Sequence, residues 1–128
     1  GYDAEAVGAT GGLAAHLGSR YGSESWRVHQ LIAADQHLAE PLVEGLPYIR
    51  AEVVFAARHE LARSVDDVLS RRTRARLLAR DASARAAGEV GRLLADELGL
   101  GAHEVRAQVE SYRAAVGRER AVLLGEAT

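Results

Sequence analysis

The sequence predicts an all-α domain of five or six helices with no sheet. Three observations carry this. Apolar residues recur at helical spacing in several segments, and no stretch sustains the period of two that marks a half-buried strand. Residues that start and stop helices punctuate those segments. At 128 residues the chain is most simply one domain, and that length buries roughly two thirds of its unfolded surface, enough for a core without metal or disulfide staples.

Residues 1–12 are rich in Gly and Ala, show no apolar period, and read as a flexible N-terminal linker, leaving 13–128 as the domain proper. Gly8, Gly11 and Gly12 lack both the preceding strand and the G-x-G-x-x-G spacing of a phosphate-cradling loop. Residues 13–20 form a short helix that stops at Tyr21 and Gly22, where glycine accepts a left-handed conformation. Ser23 is placed to cap a second helix to about Leu38, with Trp26, Leu31 and Ile32 as its larger apolar groups. His29 and His37 fall on it without an H-E-x-x-H spacing, and read as surface or capping histidines. Pro41, Gly45 and Pro47 make 40–47 a loop. Pro47 is placed to open the third helix, about 48–63, with Ile49, Val53, Ala56, Ala57 and Leu61 on one side.

The fourth segment, 60–78, is the one around which the rest is organised. Ser64 and Asp67 have the spacing of a capping box, in which the hydroxyl accepts a first-turn N–H and the carboxylate reaches back to the Ser64 N–H. Asp66 and Asp67 then sit at the positive end of one helix dipole, and Arg71, Arg72, Arg74 and Arg76 follow toward the other end. Val65, Leu69, Thr73 and Leu77 form its stripe, with Val68 and Leu78 beside it and Arg72 and Arg76 on the shoulder. Beyond it, Asp81 or Ser83 caps a helix through Leu98, with Val90, Leu93, Leu94 and Leu98 in its core stripe. Gly99 and Gly101 end that helix. The last, about 102–116, shows Val105, Val109, Tyr112 and Val116 on one face, and 117–128 reads as a helical or disordered tail.

The arginine cluster admits three uses. It is a solvated face, since Arg is mostly exposed; or a phosphate-binding patch on a helix-turn-helix-like module whose reading helix is 64–80; or a buried ion-pair network. In the last, Arg71, Arg72 and Arg74 bridge to Glu52, Glu60 and Asp67 between helices. A net charge of −2 argues against a dedicated nucleic-acid binder. The absence of Cys excludes disulfides, thiolate metal ligands and Cys nucleophiles. His59 and Glu60, adjacent on a helix, do not face each other and make no catalytic pair. No apolar run approaches the roughly 18 residues of a spanning helix, and no signal peptide is visible. The chain has no Met, even at position 1, and reads as a piece of a longer protein or a processed product.

The run AEVVFAARHELARSVDDVLSRRTRARLL at 51–78 resembles the C-terminal helical domain of the FAD-dependent glycerol-3-phosphate dehydrogenases and the related glycerophosphate oxidases. The family pattern A-E-V, an aromatic and a small residue, R-x-E, a gap, then D-V-L-x-R-R-T-R is met by Ala51, Glu52, Val53, Phe55, Ala56, Arg58, Glu60, Asp67, Val68, Leu69, Arg71, Arg72, Thr73 and Arg74. Leu17, Arg20, Tyr21, Gly22, the step Pro47, Tyr48, Ile49, and Glu97, Leu98, Gly99 are similar too, so the likeness runs from about Leu13 to about Ala115. It implies a longer flavoenzyme that oxidises sn-glycerol 3-phosphate to dihydroxyacetone phosphate and passes electrons through FAD to a quinone or oxygen. This chain would be its non-catalytic cap, binding no cofactor or metal itself and packing on an N-terminal FAD and substrate domain. A homodimer and peripheral contact with quinone at the inner face of the cell membrane are further partners it raises for a cytoplasmic protein; nucleic acid is not among them.

Overall fold

In a computed structural model the chain is described at residues 12–73, 75–123 and 125. Among these residues there are six α-helices and no strand: α1 Gly12–Tyr21, α2 Ser25–Ala34, α3 Ala51–His59, α4 Ala75–Leu78, α5 Arg80–Leu98 and α6 Ala102–Leu123. Short 3₁₀ turns at Gly22–Glu24 and Gln36–Ala39 flank α2, and a π-helical stretch at Asp67–Arg72 precedes α4. The expected linker at 1–12 lies outside the described residues except for Gly12.

The core is divided by α3. Ala51 and Phe55 on one side of it join Leu13 and Leu17 of α1, Val28 and Ile32 of α2, Ala39 and Ile49. Val53, Val54, Ala56 and Ala57 on the other side join Val65, Val68 and Leu69 and the facing stripes of α5 and α6. The single apolar side expected for this helix is therefore divided: Val53, Ala56 and Ala57 face one core, while Ile49 joins Ala51 and Phe55 in the other. Its N-terminus is set by a small antiparallel bridge between Pro41 and Ile49. In that bridge Leu42 N–H donates to the Tyr48 carbonyl at 2.9 Å and Arg50 N–H to the Glu40 carbonyl at 3.1 Å.

Helices α5 and α6 approach closely because Gly91 faces the crossing. A Cβ there would lie 2.9 Å from Val105 Cγ1 and 3.1 Å from Val109 Cγ2. The turn between the two helices uses Gly99 in the left-handed conformation, φ 71°, as its position predicts.

Several boundaries differ from the sequence expectation. Helix α2 is shorter than the segment from Ser23 to Leu38: Asp35 is extended, φ −149° and ψ 102°, and its carboxylate caps the following turn through the His37 N–H at 3.0 Å. Ser23 lies within the preceding 3₁₀ turn, and the N-cap of α2 is Glu24. Trp26, expected among the apolar groups of that helix, is 52% exposed, and Val28 takes the buried place. Pro47 does not open α3, which begins at Ala51 after the bridge. At its far end Leu61 is left-handed, φ 62°, which lets the Ala62 N–H return to the Ala56 carbonyl at 3.1 Å. A left-handed Leu costs roughly 1–2 kcal/mol relative to the right-handed conformation, and it turns the Leu61 side chain out of the expected stripe to 73% exposure.

The largest correction is at the central segment, which is not one helix. Thr73 turns its side chain inward, and its N–H and Oγ1 both donate to the Val68 carbonyl at 2.9 Å, five residues back. That bond closes the wider π turn and stops the helix. Val65, Val68, Leu69 and Thr73 are buried as the stripe predicts, but the register is lost beyond Thr73, leaving Leu77 71% and Leu78 58% exposed. A second break falls at Ala79, φ −151° and ψ 71°, before α5. The continuous reading helix of a nucleic-acid module at 64–80 therefore does not form. Helix α6 runs longer than expected, to Leu123.

Candidate functional site

Among the described residues the buried polar side chains are Glu52, Thr73 and Ser83. Each is hydrogen-bonded, as a buried polar group must be. Glu52 stands in the first turn of α3 and is met by four residues. Ile49 N–H donates to Oε2 at 2.7 Å, Tyr21 Oη–H to Oε1 at 2.9 Å, and His16 Nε2 lies 3.1 Å from both oxygens. Arg20 Nε is 3.2 Å from Oε1 and donates to Tyr21 Oη at 3.0 Å. Two ring pairs flank the carboxylate: Tyr21 meets Phe55 edge-on with centroids 4.8 Å apart, and His16 meets Tyr48 at 5.5 Å. With both oxygens occupied by converging donors, the carboxylate fastens α1 to the start of α3. The arrangement lies on the flank of the Leu13 and Leu17 stripe, where His16 and Arg20 recur at i, i+4.

Ser83 makes the second buried link. Its Oγ donates to the Arg80 carbonyl at 2.7 Å and meets the Tyr112 hydroxyl at 2.7 Å, joining α5 to α6. Arg76 lies over the Tyr112 ring, 5.6 Å from its centroid, and forks between Asp66 at 3.1 Å and Glu119 at 2.6 Å. Arg58 and Glu97 form a two-bond pair, Nε to Oε2 at 2.8 Å and Nη2 to Oε1 at 3.0 Å, between α3 and α5.

Burial, then the Glu52 charge, pushes the Tyr21 phenol well above its ordinary value. Burial also raises the Tyr112 phenol, against the opposing bond from Ser83. An unfolded tyrosine releases its proton near 10.0, whereas the folded protein holds both protons to higher pH. The unfolded state is therefore favoured first as pH rises, and stability is present below that value and lost above it. Urea unfolding between about pH 8 and 11 should show a declining alkaline limb, and Tyr21→Phe combined with Tyr112→Phe should flatten it.

Of the six residues expected to form an ion-pair network, three are placed. Glu52 is bound by the α1 donors, and Glu60 acts on the same arginine, Arg20, through its charge. Asp67 belongs to the cap: its N–H donates to Ser64 Oγ at 3.0 Å, and its carboxylate accepts from the Arg63 N–H at 3.0 Å. The capping box thus forms with its return bond one residue earlier than the spacing implies. The side chains of Arg71 and Arg72, and all of Arg74, lie outside the described residues. Sequence reasoning missed His16 as a partner of Glu52, the Arg58 to Glu97 pair, and Ser83 with Tyr112. These pairs join positions 29 to 39 apart, which no local spacing reveals.

The Glu52, Ser83–Tyr112, Arg76 and Arg58–Glu97 clusters each tie one helix or helical segment to another, which defines a helical packing module. The chain belongs to the family of the C-terminal domain of alpha-glycerophosphate oxidase, whose model matches residues 3–105. It is 35% identical over 120 residues to glycerol-3-phosphate dehydrogenase 2 of Mycobacterium tuberculosis, covering 91% of this chain and 20% of that protein. It is 43% identical over 84 residues to the mitochondrial glycerol-3-phosphate dehydrogenase SDP6 of Arabidopsis thaliana, covering 66% of this chain and 13% of that protein. Glycerol-3-phosphate dehydrogenase of Synechocystis matches at 29% over 97 residues, 76% of this chain and 18% of that one. The chain thus spans a fifth or less of the length of these relatives. No solved structure matches it.

Proposed function

We propose that this chain is the C-terminal cap of an FAD-dependent glycerol-3-phosphate dehydrogenase that oxidises sn-glycerol 3-phosphate to dihydroxyacetone phosphate. The observation that carries this is the match of a C-terminal-domain family over 3–105, with relatives that bear the dehydrogenase name. The motif residues also behave as structural ones: Ala51, Glu52, Val53, Phe55, Ala56, Val68, Leu69 and Thr73 are all buried. FAD, held elsewhere in the polypeptide, would supply the oxidising chemistry and pass electrons on to a quinone or oxygen. The described residues do not fit that cofactor, since they contain no strand leading into a helix that could cradle its pyrophosphate. FAD and substrate belong to the N-terminal portion, on which residues 13–128 pack, with 1–12 as the linker. No described helix is long and apolar enough to cross a membrane. We place the enzyme in the cytoplasm as a homodimer that meets quinone peripherally at the inner face of the cell membrane.

The test is made on the natural gene product. A yellow protein much longer than this chain whose flavin absorbance is bleached by glycerol 3-phosphate is the expected result. A colourless product near 13.7 kDa would discard the enzyme reading.

Within the cap, the arginines of the central segment complete the proposed role. We propose that Arg71, Arg72 and Arg74 bridge to Glu52, Glu60 and Asp67 and so hold the central segment to its neighbours. Arg72→Ala should then lower stability by about 2 kcal/mol. A melting temperature unchanged within error would reject this network.

A further inference from the structure

A groove of about 700 Å³ runs between α4 and the last turns of α6. Leu77, Val122 and Leu123 line it and are 71%, 67% and 67% exposed. Clustered exposure of this kind marks an interaction surface. Its charge is uneven. Arg76 on its edge is held by Asp66 and Glu119, whereas Arg80 and Arg118, which also line it, have no carboxylate partner among the described residues. The buried Nε of Arg80 has no hydrogen-bond partner among the described residues. The groove lining thus combines apolar side chains with three arginines against one carboxylate, in a chain whose net charge is −2.

We infer that this groove seats an apolar segment bearing carboxylates, contributed by the remainder of the same polypeptide. The inference rests on the C-terminal-cap reading above. Leucine and valine side chains gain by leaving water, and Arg80 and Arg118 gain by meeting carboxylates. The matched stretch is 13% of one relative and 20% of another, so most of each lies outside it. A covalently tethered partner reaches millimolar effective concentration, and a groove of modest intrinsic affinity then remains filled. The concave shape suits an inserted segment better than a flat bilayer, and Glu119, already paired with Arg76, leaves Arg80 and Arg118 to the incoming carboxylates.

The chain has no Cys, so an introduced thiol is the one labelling site on this domain's own peptides, which mass spectrometry reads apart from any thiol elsewhere in the polypeptide. In the full-length gene product, maleimide labelling of Val122→Cys is followed by mass spectrometry beside Arg106→Cys, an exposed position elsewhere on α6. Labelling at Val122→Cys should be at least about tenfold slower than at Arg106→Cys, and adding Leu77→Glu should abolish the difference. Equal rates in the unaltered background would overturn the inference. So would protection that vanishes on dilution, which would assign the groove to a second copy, or protection seen only with anionic phospholipid vesicles. Mass and flavin absorbance of the same sample are read before labelling, so a failure of the cap reading is distinguished from a failure of docking.

Discussion

Replacing Glu52 by Ala should destabilise the protein by roughly 3–5 kcal/mol, the loss expected when one partner of a buried charged cluster is removed. The carboxylate is 2% exposed, and its removal strands the Ile49 N–H, the Tyr21 hydroxyl, His16 and Arg20 against an apolar wall. The Ile49 N–H and the Tyr21 hydroxyl lose their acceptor inside the packed α1–α3 contact, whereas His16 and Arg20 keep part of their surface in water. Glu52→Gln keeps the size and one acceptor oxygen and should lose less. Urea unfolding of the two variants against the parent protein measures both effects. A loss below about 1 kcal/mol for Glu52→Ala would mean that the four donors find other acceptors.

The second large effect is expected at Gly91, where Val should destabilise by about 3 kcal/mol, the upper end for an overpacked core. The first added carbon would already lie 2.9 Å from Val105 Cγ1, and the two further methyls have only the Val65, Val109 and Val105 side chains to enter. Moving α6 outward would relieve the clash but would lengthen the Ser83 to Tyr112 bond of 2.7 Å. Gly91→Ala isolates the first carbon. It gains about 1 kcal/mol of helix propensity, so its net loss should be much smaller. Thermal unfolding of the pair separates the two terms, and a Val variant as stable as the Ala variant would show that the crossing yields freely.

The amphipathic part of the fold was legible in the sequence. Val90, Leu93 and Leu94 on α5, and Val109, Tyr112 and Val116 on α6, are buried where their spacing places them, because a long helix with one wet face must repeat at its own period. Where two-sided burial or an irregular turn replaces that condition, periodicity fails. The Val65 to Leu77 row had the right spacing for one helix and was interrupted by Thr73, whose hydroxyl competes for a backbone carbonyl. Leu61 belonged to a stripe on paper and to a left-handed cap in the structure, a place more often given to Gly. For the polar groups, the Ser64 cap was readable because its partners are local. The Glu52 cluster was not, because His16 and Glu52 are 36 residues apart and only the packing of α1 against α3 brings them together.

The two-sided burial of α3 has a consequence for how the domain opens. One core holds α1 and α2 against it, and the other holds α5 and α6, with Leu31 and Leu38 packed against both. Each side can lose its packing while the other retains most of its own, so the chain is built as two cooperative units that share one wall. Amide protons of α1 and α2 should exchange through a smaller opening that leaves α5 and α6 protected, and the Glu52 cluster sets the free energy of that opening.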